Sequence, residues 1–131
     1  MFTGLLLAST ATGPVPKVDS DVRIVATGGL WEHGGRYGTC RVVVREQGWE
    51  EVSTNVMLEW LVTNETKKSR EVLASVPLAE LNEHGWNNVQ QVTWVGGCKF
   101  EVSYLKLGEE GPGHLATVTL LDVRKYQFKK K

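Results

Sequence analysis

The sequence predicts an all-β domain, an antiparallel β-sandwich or small barrel of about seven strands with at most one short helix. Three observations predict this class. Stretches rich in Val, Thr and aromatic residues recur from Asp21 onward, glycine-containing segments separate them, and no regular alternation of strand and helix patterns occurs. A length of 131 residues suffices for one such domain and is too short for an enzyme with separate cofactor and substrate lobes.

Seven stretches have the composition of β-strands. They are Val22–Ala26, Cys40–Arg45, Asn55–Thr63, Glu71–Val76, Val89–Val95, Cys98–Leu107 and Leu115–Phe128. Apolar residues alternate in the third stretch, although Val52, Val56 and Trp60 also fit the spacing of a helix. The last stretch changes phase near Asp122, which predicts a β-bulge or a bend there.

One short helix is predicted between the fourth and fifth stretches. Ser75 can cap it and Pro77 fits its first turn. Leu78 and Leu81 give it an apolar side, and Gly85 can end it. Such a helix serves as a connection and does not form a layer of the fold.

Two cysteines with a tryptophan between them give the chain an outline similar to that of an immunoglobulin-like domain. However, Trp60 lies farther after Cys40 than that family's pattern requires. Gly96 stands two residues before Cys98, where the tyrosine corner of the family needs Tyr. The resemblance therefore implies a sandwich architecture and no family membership.

The chain divides into residues 1–17 and a single β-sandwich domain over residues 18–131. The apolar run at residues 2–8 and the small residues ending at Ala11 are typical of a signal-peptide remnant. The first basic residue is Lys17, so the charged start of a signal peptide is missing. The alternative is a flexible N-terminal arm.

The two cysteines are predicted to form a disulfide. By period-two alternation, Cys40 shares a face with Val42, and Cys98 shares a face with Phe100, so each thiol begins an inward-facing row. Two buried free thiols are the alternative. Together with the signal-like start, the disulfide favours a periplasmic or extracellular location.

Charge and hydropathy exclude two classes of partner. Fifteen Lys and Arg balance fifteen Asp and Glu, so the chain lacks the positive field that non-specific nucleic-acid binding uses. No apolar run approaches the about eighteen residues of a membrane span. The basic cluster at residues 129–131 is interpreted as a solvated chain end. The composition leaves open whether the protein is a monomer or a homodimer.

No recognisable catalytic signature is present, and no cofactor is expected. Both cysteines are predicted to face the core, which disfavours a Cys–His nucleophile pair. His33, Glu83 and His84 lie in predicted loops and could hold zinc if those loops met. Because nothing in their spacing brings them together, they are weak metal candidates and no metal is predicted.

The five tryptophans are the most unusual feature of the composition. Trp60 and Trp94 fall in strand stretches and are predicted to be core residues. The others lie beside glycine turns, where an exposed indole can stack on a sugar or anchor a protein partner. The candidate binding residues are Trp31, Arg36, Tyr37, Trp49 and Trp86. Alternatively, the loop indoles fold back over the ends of the sandwich.

These observations favour a secreted or periplasmic protein-binding module without enzymatic activity, of the inhibitor, immunity or accessory-subunit type. A carbohydrate-binding module that stacks sugars on loop tryptophans is one alternative. A small metal-dependent enzyme using His33, Glu83 and His84 is another. The expected partner is thus a protein or a glycan.

Overall fold

A computed structural model describes residues 18–49, 52–83 and 87–131. Its eight strands form two four-stranded antiparallel sheets that pack against each other, with one short helix between them along the chain. The predicted all-β sandwich is therefore confirmed. The N-terminal segment 1–17, interpreted above as a signal remnant or an arm, lies outside the described residues.

Each sheet is a simple meander. Sheet A contains, in order, β1 (Val22–His33), β2 (Arg36–Gln47), β3 (Ser53–Asn64) and β4 (Ser69–Pro77). Helix α1 (Ala79–Asn82) leads to sheet B, which contains β5 (Asn87–Gly96), β6 (Lys99–Lys106), β7 (His114–Leu120) and β8 (Tyr126–Lys130). This order differs from the Greek key of an immunoglobulin-like domain, because within each sheet every strand pairs with its neighbour along the chain.

The structure has eight strands because the last predicted stretch divides into β7 and β8. The residues between them form a turn in which the Lys125 amide donates to the Asp122 carbonyl over 2.8 Å. Arg124 in this turn has a φ of 68°. The phase change near Asp122 therefore marks a full chain reversal. The helical alternative for the segment around Val56 is wrong, since β3 covers it.

The core lies between the two sheets and contains the inward-facing rows of both. Trp60 and Phe100 are among its largest fully buried side chains. The predicted disulfide joins Cys40 in β2 to Cys98 beside β6, with the two Cα atoms 5.9 Å apart. It closes a loop of 58 residues. In the chain-entropy account a loop of this length stabilises the fold by about 4 kcal/mol.

Two glycines in β1 allow the sheets to approach closely at the disulfide. A register shift in the β1–β2 pairing falls between Thr27 and Leu30, at Gly28 and Gly29. A Cβ at Gly28 would lie 2.7 Å from the Phe100 ring and 2.9 Å from Cys40 Sγ. The Gly29 amide donates to the carbonyl oxygen of Gly97 over 2.6 Å, which links the two sheets through the backbone.

Helix α1 is shorter than predicted. Ser75 and Pro77 lie in β4, so the predicted cap at Ser75 is wrong, and Leu78 occupies the N-cap without a side-chain hydrogen bond. The Asn82 side chain closes the helix against β3, accepting from the Val56 amide over 2.7 Å and donating to its carbonyl over 2.8 Å. The predicted helix end at Gly85 lies outside the described residues. None of the described segments is a helix with the length and hydropathy that crossing a bilayer requires.

The two strand tryptophans differ in environment. Trp60 is fully buried, as predicted, and its Nε1 donates to the Leu121 carbonyl over 3.2 Å. Trp94 is half-exposed, so its assignment to the core is wrong. The physical reason is that β5 is an edge strand of sheet B, so the Trp94 indole lacks a neighbouring strand on one side. Its Nε1 donates to the nearby Gly97 carbonyl over 2.8 Å.

Candidate functional site

Trp31, the first of the candidate binding residues, lies in the core and is only 8% exposed. Its Nε1 donates to the carbonyl oxygens of Thr39 and Leu61, over 2.9 and 3.0 Å. The indole reaches them across β2 at Gly38, where a Cβ would stand 1.7 Å from the Leu61 oxygen. The Trp31 ring is therefore not available for stacking on a ligand.

Arg36 and Tyr37 begin β2, at the tip of the β1–β2 hairpin. The Tyr37 hydroxyl donates to the Glu65 carboxylate over 2.6 Å, and this hydrogen bond raises the pKa of Tyr37. The tip also reaches sheet B, because His33 lies 3.5 Å from the Asp122 carboxylate in the β7–β8 turn. This end of sheet A thus combines an exposed guanidinium with a tyrosine held in place by Glu65.

Trp49 is 95% exposed and follows β2 at its other end. With a rise of about 3.3 Å per residue, the length of β2 separates Tyr37 from Trp49 by roughly 35 Å. Trp86 lies outside the described residues. The structure therefore separates the described candidates into a buried residue and two opposite ends of sheet A.

The weak metal candidates are also far apart. His33 pairs with Arg36 at the hairpin tip, whereas Glu83 follows α1, which closes against Val56 near the other end of sheet A. His84 lies outside the described residues. Among residues 18–49, 52–83 and 87–131, no group of three His, Cys, Asp or Glu side chains converges as metal ligands would.

The third histidine takes part in a small polar cluster at the β6–β7 hairpin. His114 Nε2 lies 2.9 Å from the Glu109 carboxylate, and its ring stacks on Tyr104 with the centroids 5.3 Å apart. The hydrogen bond from His114, followed by one from the Lys106 amide, lowers the pKa of Glu109. The cluster closes the hairpin.

A surface that was not expected from the sequence covers the outer side of sheet A. Val42 and Val44 face the core, so Val43 between them faces outward, and yet it is only 6% exposed. Leu30 on the same side is 73% exposed, and Val25 and Val72 are each about half-exposed. We call this surface the apolar face. Its residues are Val25, Leu30, Tyr37, Val43, Met57, Leu61, Val72 and Pro77.

Strand register arranges the apolar face in two rows. One row runs across all four strands of sheet A as Val25, Val43, Met57 and Pro77. The second row runs as Leu30, Thr39, Leu61 and Val72. The first row is apolar from edge to edge of the sheet, and Thr39 is the one polar member of the second row. Such rows are unusual for the side of a sandwich that faces away from the core.

A polar row separates the two apolar rows. Arg41 Nε donates to the Glu59 carboxylate over 2.6 Å, and the Ser75 hydroxyl donates to the other carboxylate oxygen over 3.2 Å. Because Arg41 and Glu59 are paired with each other, the polar row carries a fixed dipole and no net charge. The apolar face thus has a central polar strip of defined geometry.

A cavity of about 320 Å³ lies on the apolar face near the Trp49 end of sheet A. Val25 and Val43 line it together with the Arg41 and Arg45 side chains. The Arg45 guanidinium is held by two carboxylates of the segment before β1, Asp19 at 3.1 Å and Asp21 at 2.9 Å. The hydrogen bond to Asp19 is the largest contribution that raises the pKa of Arg45, so this guanidinium stays charged.

The outer side of sheet B has the opposite character. Its outward-facing residues are mostly Thr, Lys, Gln and Ser, and they border a cavity of about 450 Å³. We call this surface the lysine face. Its residues are Lys99, Thr117, Thr119, Gln127, Lys129, Lys130 and Lys131.

Comparisons of the chain with models of protein families, with curated proteins and with solved structures found no match. The function must therefore be inferred from the two faces and their chemistry.

One signal in the sequence could have revealed the apolar face. The run Val42-Val43-Val44 is apolar on both sides of a strand, which is typical of a strand that is covered on both faces. The prediction of inward-facing rows used only Val42 and Val44 from this run. The lysine face on sheet B could not be recognised in the same way, because Lys99 and Lys129 border one cavity only through the pairing of β6, β7 and β8.

Proposed function

We propose that this protein is a non-enzymatic protein-binding module of the periplasm or the extracellular space, and that it docks its partner protein on the apolar face. The observation that carries the proposal is the pair of rows, one apolar throughout and one interrupted only by Thr39, on the side of sheet A that faces away from the core. The core already uses the inner side of that sheet. Apolar surface on the other side does not contribute to the sandwich core and is typical of an interaction site.

The dimensions of the apolar face suit a protein partner. Strands of twelve residues and four-strand width give a surface of roughly 40 Å by 15 Å. This area approaches the roughly 800 Å² that each partner contributes to an interface of standard size. A small molecule would need a deeper enclosure than a nearly flat sheet offers.

The chemistry of the face also describes its partner. The two rows favour a partner with two apolar strips, and the partner surface between those strips must supply an acceptor for Arg41 and a donor for Glu59. Buried polar groups without hydrogen-bond partners weaken an interface, so the Arg41–Glu59 pair selects against purely apolar surfaces. Tyr37 and Trp49 stand at the two ends of sheet A as aromatic anchors.

The disulfide supports the proposed location. Cys40 and Cys98 are paired, and such bonds persist in the periplasm and outside the cell, whereas cytosolic thiols are kept reduced.

The arrangement favours protein binding over the other two hypotheses. Sugar stacking needs several exposed indoles on one surface, but Trp31 is buried and Trp49 lies at the far end of sheet A from Tyr37. A metal-dependent enzyme needs converging ligands, and His33 and Glu83 lie near opposite ends of the sheet. The apolar face requires neither feature.

A site-specific photocrosslinking experiment in the organism's own cells tests the proposal. A photoreactive amino acid replaces Leu30 or Val72 on the apolar face, and a matched control carries it at Glu110, which is exposed in the β6–β7 connection. We expect one adduct of defined mass from both apolar-face positions and none from Glu110.

Two outcomes would overturn the proposal. Equal adducts from Glu110 would show that the protein reacts with whatever surrounds it. An adduct formed only with a second copy of the chain, together with a dimer in sedimentation, would assign the apolar face to self-association.

A further inference from the structure

We infer that the lysine face binds an anionic polysaccharide, a sulfated or uronate-rich chain. This inference concerns the side of the molecule opposite the apolar face and does not depend on partner docking there. It rests on the register of β6, β7 and β8, on the charge of the face and on the residue types that line its cavity.

Strand pairing builds the lysine face from side chains that are distant in sequence. Lys99 in β6 stands opposite Thr119 in β7, which stands opposite Gln127 in β8. In the next row, Glu101 in β6 stands opposite Thr117, which stands opposite Lys129. Tyr126 and Phe128 of β8 pack toward the core, so the alternate residues of that strand face outward. Because the core anchors β8, the outward side chains of this strand have fixed positions on the lysine face.

The lysine face concentrates positive charge in a molecule of zero formal net charge. Neither Lys99 nor Lys129 forms an ion pair with any of the described residues, while Lys131 pairs with Glu101. The described lining of the cavity contains no acidic side chain. Like charges within about one Debye length of each other raise the local potential and attract an anion.

The residues between the lysines identify the class of anion. The hydroxyls of Thr117 and Thr119 and the amide of Gln127 supply neutral donors and acceptors beside the ammonium groups. A polysaccharide that carries both hydroxyls and sulfates or carboxylates matches this mixture. Neighbouring outward residues lie about 5 Å apart across strands and about 7 Å apart along a strand, so charges repeated along an extended chain can meet several of them.

The same residues disfavour a nucleic acid. Proteins that hold single strands without sequence preference use aromatic side chains on which the bases stack. The described lining of the cavity contains no aromatic residue. Duplex binding draws its affinity from many simultaneous phosphate contacts, which the few lysines here do not supply.

Heparin serves as the probe in the test. The variant K99Q/K129Q removes two ammonium groups that form no ion pair with the described residues. The control K67Q/K68Q removes the same formal charge from the β3–β4 connection of sheet A, where Lys67 pairs with Glu71. We expect the whole protein to bind a defined heparin oligosaccharide, more weakly as salt increases. K99Q/K129Q should weaken binding about tenfold or more and lower the slope of log affinity against log salt by about two, one for each ammonium group removed. K67Q/K68Q should change neither value.

Further measurements keep the result interpretable. The variant K99R/K129R should retain binding because it keeps both charges, and thermal unfolding of each variant should match the parent protein because the positions are exposed. Equal weakening by K67Q/K68Q would overturn the inference, since it would reduce the effect to overall charge. Tighter binding of a single-stranded oligonucleotide than of heparin would also overturn the inference. The same holds if free sulfate competed with bound heparin as strongly as the oligosaccharide does.

Discussion

The two outer faces of this sandwich differ, although both sheets bury their inner rows in the same core. In both sheets, alternate residues of each strand face a common core. Away from the core, sheet A carries Val25, Leu30 and Val72, whereas sheet B carries Lys99 and Lys129. Folding requires only the inner rows, so water alone would favour polar residues on both outer faces. The outer face of sheet A departs from this expectation, and the proposed partner site is the explanation that we offer for the departure.

The largest expected effect is a difference in stability between variants of a buried tryptophan of sheet A and of an exposed tryptophan at its end. Trp31→Ala should lower the free energy of unfolding by about 3–5 kcal/mol, because it removes a buried ring and two backbone hydrogen bonds. Trp49→Ala should stay within about 0.5 kcal/mol of the parent protein, because its ring is exposed. Urea unfolding measures both values. A small effect at Trp31 would mean that the indole belongs to the surface and not to the core.

The second effect concerns the apolar face in partner binding. Leu30→Asp should weaken the partner found by crosslinking about thirtyfold, which corresponds to about 2 kcal/mol, because it places a charge in a desolvated apolar row. Titration calorimetry measures the affinity. Thr119→Asp on the lysine face is the control and should leave partner affinity unchanged. If both variants weakened the partner equally, the distinction between the two faces would fail.

A pair of nearly isosteric exchanges compares the two faces in the free protein. Val43→Thr should lower the free energy of unfolding by about 1 kcal/mol, because it buries a hydroxyl on the covered part of the apolar face. Thr119→Val should change it by less than about 0.5 kcal/mol, because that side chain is half-buried among polar neighbours. Thermal unfolding of both variants tests the difference. Equal values would show that the outer faces are equally covered in the monomer.

The weakest effect is a local pH dependence at the β6–β7 hairpin of sheet B. The hydrogen bond from His114 lowers the pKa of Glu109, so the pairing is present at neutral pH and is lost as the pH falls through that lowered pKa. The amide resonance of Lys106, which donates to the Glu109 carboxylate, should move with a midpoint below the ordinary range for Glu. Glu109→Gln should abolish this movement. Its persistence in the variant would assign the titration to another group.

Several elements could be predicted from local patterns. Alternation in β2 and β6 placed Cys40 and Cys98 on inward rows, and the structure pairs them. The glycine-separated strand stretches correspond to strands, although β1 extends to His33, beyond the predicted end at Ala26. That extension was missed because Gly28 and Gly29 interrupt the strand composition, whereas in the structure they form an irregularity in a continuous strand.

The candidate site was harder to predict because exposure is not a local property. Trp31 and Trp49 both lie near glycines in the sequence, yet one is buried and the other is almost fully exposed. The difference arises from what lies across the sheet: Gly38 leaves a path for the Trp31 ring to the Leu61 carbonyl. Trp94 shows the converse, since a strand residue became half-exposed at the edge of sheet B.

Local patterns in the chain were enough to establish the all-β class, most strand positions and the sides of β2 and β6 that face the core. These follow from composition and from the two-residue period, which act within one strand. The row formed by Val25, Val43, Met57 and Pro77 emerged only when the strands were paired. The same holds for the cavity that Lys99 and Lys129 share. Register causes this difference, because neighbours across a sheet are set by hydrogen bonding between strands that lie far apart in the chain. A shift of one residue would place each side chain on the opposite face.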